Sequence, residues 1–329
     1  MRRFVRLILL IIIFCIIVVY LAFNRLETFY NAPGPSKNAV TVVIPKGASL
    51  SRVVSILDQV GVLADPFWFE WSVRFEGAAR KIQAGEYLIG ARQSPKKILG
   101  SLMSGKTVLR QVTIPEGLMG LEVAALLNST PALKGTSPIP AEGSILPETY
   151  RYRYGESRVN VLKRMSKAMD KVLAELWKNR KTGLPFTNPY EAVILASIVE
   201  KETGVPEERS RVAGVFLNRL RRGMRLQSDP TVAYAITNGE KPLNRPLTRL
   251  DLDSTHPFNT YRIKGLPPGP ISNPGRAALS ATLNPLETLE LYFVADGTGG
   301  HAFAKTLAEH NRNVAQWRKL RLDRKIISQ

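Results

Sequence analysis

A carboxyl held against apolar surface is among the simplest acids a protein can build, and residues 188–234 offer one. The stretch reads NPYEAVILASIVEKETGVPEERSRVAGVFLNRLRRGMRLQSDPTVAY. Pro189 suits the first turn of a helix, and Ala192, Leu195, Ile198 and Val199 then recur at spacings of three and four. At about 100° per residue, Leu195, Ile198, Val199 and Ile194 fall within half a turn of the direction of Glu202. Glu200 points nearly the opposite way, towards Ser197 and Ala196. Desolvation favours the protonated form of a carboxyl and raises its pKa, which is what a general acid needs at neutral pH. The same pattern also fits a Glu202 that ends the helix and bends out to water, as most helical glutamates do.

A second helix is expected from Pro206, carrying Val212, Val215, Phe216, Leu217 and Leu220 on one side and closed by Gly223. The loop that follows, RLQSDPT at 225–231, is dense in hydrogen-bonding groups. Held between helices, such a loop can bind a polar ligand. Asp229 also suits a simpler part, capping a helix that Pro230 begins.

The chain has 329 residues, enough for two or more domains, and carries 46 Lys and Arg against 27 Asp and Glu, a net charge of +19. That balance suits an anionic setting, whether nucleic acid, lipid surface or acidic polymer. The basic residues are dispersed and no aromatic platform is interleaved with them, which argues against nucleic acid. The one cysteine, Cys15, lies in an apolar run, so there is no disulfide framework and no cysteine metal site. His256, His301 and His310 form no ligand-spaced pattern, and neither metal nor cofactor is expected.

Residues 7–23 are uncharged and as a helix would span about 26 Å, close to a hydrocarbon core of roughly 30 Å. Arg2, Arg3 and Arg6 precede them, so residues 1–6 should stay in the cytoplasm and the bulk of the chain should be exported. A cleaved signal peptide is the competing reading; the long run without a small-residue cleavage site favours an uncleaved anchor. Residues 24–39 are a linker containing NAPGPSKN. Residues 40–128 read as a small α/β module. A strand near 41–48 is followed by a helix capped by Ser49, a helix opened by Asp65-Pro66, a returning strand at 85–89 and a helix from Ser94-Pro95 to Met103. The order loosely resembles a LysM carbohydrate-binding module, and the aromatics at 67–71 are expected in its core, with a sugar platform as the alternative. Ile44-Pro45-Lys46-Gly47 is echoed by Ile114-Pro115-Glu116-Gly117, a possible repeated strand–helix unit.

Four prolines mark residues 129–147 as a second linker. From 148 to 329 the chain reads as one domain: a basic amphipathic helix at 157–178, the central stretch, a Pro/Gly-rich segment at 265–271, a strand at 291–295 paired with His301-Ala302-Phe303, and a final basic helix. The fold class expected is α+β, with one transmembrane helix, the LysM-like module, and a mainly helical domain with a small sheet.

Several long motifs carry a family resemblance: SIVEKET (197–203), VFLNRLRRGMRLQSDPTV (215–232), NTYRIKGLPPGPI (259–271), NPG (273–275) and YFVADGTGGHAF (292–303). They closely resemble the endolytic murein transglycosylases, the YceG-like or MltG family. SILPETY (144–150) departs from the family's commoner pattern at Leu146 and Glu148. The resemblance implies an enzyme of the bacterial inner membrane, with its catalytic domain on the outer side. It would cut nascent peptidoglycan glycan strands internally, between N-acetylmuramic acid and N-acetylglucosamine, leaving 1,6-anhydro ends. It also implies that the second Glu of EKET, Glu202, is catalytic, the residue that the helix projection selects.

In that chemistry the substrate's C6 hydroxyl attacks the anomeric carbon, so one carboxyl can act as acid and then as base. Gln227, Asp229, Thr231, Tyr234, Asn218 and Asn259 are expected to line the pocket. Glycan strands and the membrane are the expected partners, with peptidoglycan synthases as further ones. A muramidase-type hydrolase using Asp229 as second carboxylate, and a non-catalytic wall-binding scaffold, are the alternatives.

Overall fold

The structure, a computed structural model, describes residues 2–327. Its contacts define two compact units. One takes residues up to Arg110 with Arg153–Gly155; the other takes Gln111–Tyr152 and everything from Glu156 onward.

The first unit opens on α1 (Arg2–Asn31). Its segment Phe4–Asn31 is long and apolar enough to cross a membrane, and its apolar side chains are exposed from Phe4 to Phe23. Its far end packs, with Phe29 and Tyr30 against the unit's core. Then come β1 (Val40–Ile44), α2 (Leu50–Gln59), α3 (Pro66–Phe75), β2 (Gly85–Ile89) and α4 (Pro95–Ser104). Local chemistry sets these boundaries. Ser49 Oγ accepts the Arg52 N–H, Asp65 caps α3 ahead of Pro66, and Gly105 closes α4 at φ 65°. β1 and β2 pair antiparallel with Val42 opposite Tyr87, over a core of Val53, Leu57, Phe69, Val73, Ile98 and Leu102.

The aromatics of α3 depart from expectation. Phe69 is buried and Trp68 half-buried, whereas Phe67, Trp71 and Phe75 are 60%, 54% and 72% exposed. Helical spacing sends residue 69 inward and places 67, 71 and 75 in a row on the outer face.

β3 (Arg110–Thr113) begins at the boundary, and the second unit goes on with α5 (Gly120–Ser129), β4 (Thr149–Tyr152), α6 (Arg158–Lys178), α7 (Pro189–Glu202), α8 (Arg209–Arg221), α9 (Asp229–Thr237), α10 (Arg249–Asp253), α11 (Arg276–Leu283), β5 (Tyr292–Ala295), β6 (His301–Ala304) and α12 (Leu307–Ile327). The fold is thus α+β, with its strands in two-stranded sheets β1–β2, β3–β4 and β5–β6.

The echo at 44–47 and 114–117 is a shared turn: Gly47 and Gly117 adopt φ 78° and 76°, between a strand and a helix in each case. The units nonetheless divide at Arg110, not at the proline-rich 129–147. That stretch is packed, with Leu133, Ile145 and Leu146 buried. The Arg158 guanidinium gathers it by donating to the carbonyls of Leu127, Asn128, Thr130, Leu133 and Gly135 at 2.6–3.0 Å. Its prolines shape a loop whose backbone acceptors are satisfied from one side chain.

At the centre lies α7. Asn188 caps it by accepting the Glu191 N–H at 3.1 Å, and every residue from 192 to 199 is buried. α11, α8, α6 and α9 pack around it. From 192 to 199 the helix therefore has no solvated face, and Glu200, opposite Glu202, is enclosed as well. Glu200 Oε2 accepts the Gly275 N–H at 2.9 Å, at the start of α11, and its Oε1 lies 3.9 Å from Arg209. Burial raises the Glu200 pKa.

Candidate active site

Glu202 is the last residue of α7, where Thr203 turns the chain to extended backbone. Its carboxyl borders a cleft of about 300 Å³ lined by Arg219, Leu226, Gln227, Asp229, Tyr261, Phe293 and His301, among others. Burial raises the Glu202 pKa to about 7, the Asp229 charge adds to the rise, and the Ser228 hydrogen bond and the Arg219 charge oppose it. The carbonyl end of α7 works in the same direction as burial, because the helix dipole disfavours a negative charge there. At neutral pH the group is poised between acid and carboxylate.

Three elements place its neighbours. The loop after α8 brings Ser228, whose Oγ donates to Glu202 Oε1 at 2.5 Å. Arg219 fixes that loop from within. Its Nη1 donates to Leu226 O and its Nε to Leu291 O, each at 2.6 Å, which ties the loop to the approach of β5. Gln227 adopts φ 54°, a left-handed conformation that a non-glycine residue holds only where its surroundings enforce it. The enforcing contacts run through Thr260: its carbonyl accepts the Gln227 N–H at 3.1 Å and its Oγ1 accepts the Ser228 N–H at 2.9 Å.

The residues singled out from the sequence separate into groups. Gln227 and Asp229 line the cleft with Glu202. Asp229 does not serve as a cap; it is the first residue of α9, and its carboxylate accepts the Tyr261 hydroxyl at 2.7 Å. Burial first, and then that hydrogen bond, push the Tyr261 pKa up, so the phenol remains a donor. Tyr234 lines an adjoining cavity of about 400 Å³, which also borders Asp229, and packs against Phe258 at 4.9 Å between ring centroids.

Thr231 and Asn259 are fully buried behind the cleft. Thr231 Oγ1 lies 2.8 Å from Thr260 Oγ1 and bonds to Ser228 O at 2.6 Å. Asn259 donates to Leu252 O and Ser254 O, and its Oδ1 accepts the Tyr261 N–H at 2.9 Å. Both hold the residues that line the site. Asn218 belongs elsewhere: it donates to Thr288 O at 2.7 Å and Glu290 O at 3.1 Å and borders a separate cavity of about 130 Å³.

Sequence reasoning did not select Ser228, Arg219, Tyr261 or His301. Ser228 lay within the polar loop and could have been taken with Gln227. The others come from a helix, a distant loop and β6; each lies within one of the family-like motifs, but periodicity does not single it out. His301 is held by Glu208, with Nδ1 2.7 Å from Oε2.

A half-buried carboxyl near neutrality, one hydroxyl donating to it, a polar cleft and an adjoining cavity that shares Asp229 make an acid–base site. Residues 42–316 match the YceG-like family, and the chain belongs to it. It is 31% identical over 314 residues to the endolytic murein transglycosylase of Bacillus subtilis (strain 168), covering 84% of each chain. It is 29% identical over 338 residues to the endolytic murein transglycosylase of Streptococcus pneumoniae serotype 2 (strain D39), covering 88% of this chain and 60% of that one. A crystal structure of a yceG-like protein from Listeria monocytogenes is similar at a TM-score of 0.51 and 31% identity, over 84% of this chain and 99% of that one.

Proposed function

We propose that the protein is a lytic transglycosylase of peptidoglycan, with Glu202 as its acid and base. It cleaves glycan strands internally between N-acetylmuramic acid and N-acetylglucosamine. The observation that carries this reading is the Glu202 carboxyl, at a pKa of about 7 on the edge of an open polar cleft. The names of the Bacillus and Streptococcus relatives support it.

In the first step protonated Glu202 gives its proton to the glycosidic oxygen as the bond to the anomeric carbon breaks. The carboxylate so formed is held by the Ser228 hydroxyl. It then takes the proton from the muramic acid C6 hydroxyl as that oxygen bonds to the anomeric carbon. The proton count closes on Glu202, no water enters, and the product is a 1,6-anhydro end. Gln227, Asp229 and Tyr261 bind the sugars at the break, and Tyr234 a sugar in the adjoining lobe. Thr231 and Asn259 shape the loops. α1 anchors the chain in the bacterial inner membrane with the remainder outside, the cut ends strand elongation, and peptidoglycan synthases are partners. The strand–helix–helix–strand order of residues 40–89 supports a LysM-like, glycan-contacting role for the first unit.

The test is a digest of uncrosslinked glycan strands by the full-length protein in detergent, with mass spectrometry of the ends, beside Glu202→Gln. Internal cuts with anhydro ends, absent in the variant, are expected. Reducing ends would replace this reading with a hydrolase using Asp229. No cutting by folded protein would favour a wall-binding scaffold.

A further inference from the structure

The exposed row on α3 has no part in the site just described. Phe67, Trp71 and Phe75 are spaced four residues apart, so one helix face presents three large apolar rings to the outside. The row is continuous with the membrane-crossing segment. The Phe75 ring meets Phe23 edge-on at 6.4 Å between centroids, and Phe23 is the last residue of the uncharged run in α1. Phe67 and Trp71 lie 6.3 Å apart, extending the patch away from Phe75. Beside the rings, Arg74 is engaged with Glu70 at 2.6 Å, while Arg80 and Lys81 follow within two turns of chain. From residue 24 to 110 the chain carries 12 Lys and Arg against 6 Asp and Glu.

We propose that the α3 face formed by Phe67, Trp71 and Phe75 lies in the interfacial layer of an anionic membrane, beside the point where α1 leaves it. Aromatic rings favour that layer, where one edge meets hydrocarbon and the other headgroups and water. The excess of Lys and Arg over residues 24–110 complements anionic headgroups. A sugar platform is less well matched, because sugars need hydrogen-bonding groups beside the ring, and the polar neighbours Glu70 and Arg74 are spent on each other. The inference rests on α1 being a membrane anchor.

The full-length protein, reconstituted in vesicles of phosphatidylethanolamine and phosphatidylglycerol, tests it. Trp71 is read as the difference in emission between the protein and its Trp71→Phe variant, and Cys15 within α1 reports insertion through protection from an impermeant maleimide. The expected result has Cys15 protected, and the Trp71 component quenched by lipids labelled near the headgroup and shielded from aqueous iodide. Phe75→Ser should reduce that lipid quenching while Cys15 stays protected. Trp71 open to iodide and untouched by labelled lipid, with Cys15 protected, would overturn the proposal and leave the anchor standing. Labelling of Cys15 would overturn the anchor and the proposal together. Emission at Trp71 that ignores labelled lipid but shifts with soluble glycan strands would assign the face to sugar instead.

Discussion

The Ser228 hydroxyl donates to Glu202 Oε1 at 2.5 Å, although Ser228 occupies the position from which it could cap α9. The hydroxyl serves the carboxyl rather than the helix. A donor aimed at a carboxylate stabilises the ionised form, so it opposes the rise that burial imposes on Glu202.

Ser228→Ala should therefore raise the Glu202 pKa above its value near 7. Hydrogen bonds to charged groups contribute about 1.5–3 kcal/mol, so the alkaline limb of kcat/KM should move up by roughly 1–2 pH units. The rate at the optimum should fall, because the carboxylate that must form is less stable. A pH–rate profile decides: a lowered rate with an unmoved limb would mean that Ser228 only supports the loop.

Glu202 should also weaken the fold that holds it. Its pKa is about 7 in the folded chain against a reference value of 4.5. Between these values the folded state binds more protons than the unfolded one, so stability falls as pH rises through that window and the loss is complete above pH 7. Glu202→Gln retains an acceptor for Ser228 and removes the charge. It should be more stable than the parent at pH 8, by up to about 3 kcal/mol, and close to the parent at pH 4. Thermal unfolding at both pH values measures this. Equal gains at both would show that the charge is not the cause.

The stripe through Leu195, Ile198 and Val199 was legible because helical periodicity survives burial, and it pointed to Glu202 over Glu200. What periodicity missed is that α7 is buried all round from 192 to 199, and that Glu200 is enclosed too, against Gly275. Capping residues such as Ser49, Asp65 and Asn188 marked helix starts because that chemistry is local. Arg219 and Tyr261 could not be found this way. Their partners, Leu291 and Asp229, lie 72 and 32 residues away along the chain. The prolines at 129–147 suggested a linker because composition does not reveal Arg158 waiting to bind the loop's carbonyls.

A substitution at Asp229 distinguishes the proposed transglycosylase from a hydrolase. Its charge raises the Glu202 pKa, and its carboxylate is engaged by the Tyr261 hydroxyl. Asp229→Asn removes the charge and leaves an acceptor for the phenol. The alkaline limb should shift down while the product ends remain anhydro. Complete loss of cutting, with the parent yielding reducing ends, would instead identify Asp229 as a second catalytic carboxylate.

Asn218 and Arg219 are adjacent on α8 and should respond differently. Asn218 holds the carbonyls of Thr288 and Glu290 away from the cleft. Truncating it to Ala leaves two acceptors without a donor and should cost about 1–3 kcal/mol of stability with the pH profile unchanged. Arg219 is 7% exposed, bonds to Leu226 O and Leu291 O, and lowers the Glu202 pKa through its charge. Arg219→Gln should destabilise the fold and also displace the alkaline limb upward, since both the loop and the positive charge are lost. Measuring Tm and the kcat/KM profile on the two variants separates the roles. A displaced limb in Asn218→Ala would place Asn218 in the site after all, and an unmoved limb in Arg219→Gln would confine Arg219 to holding the loop.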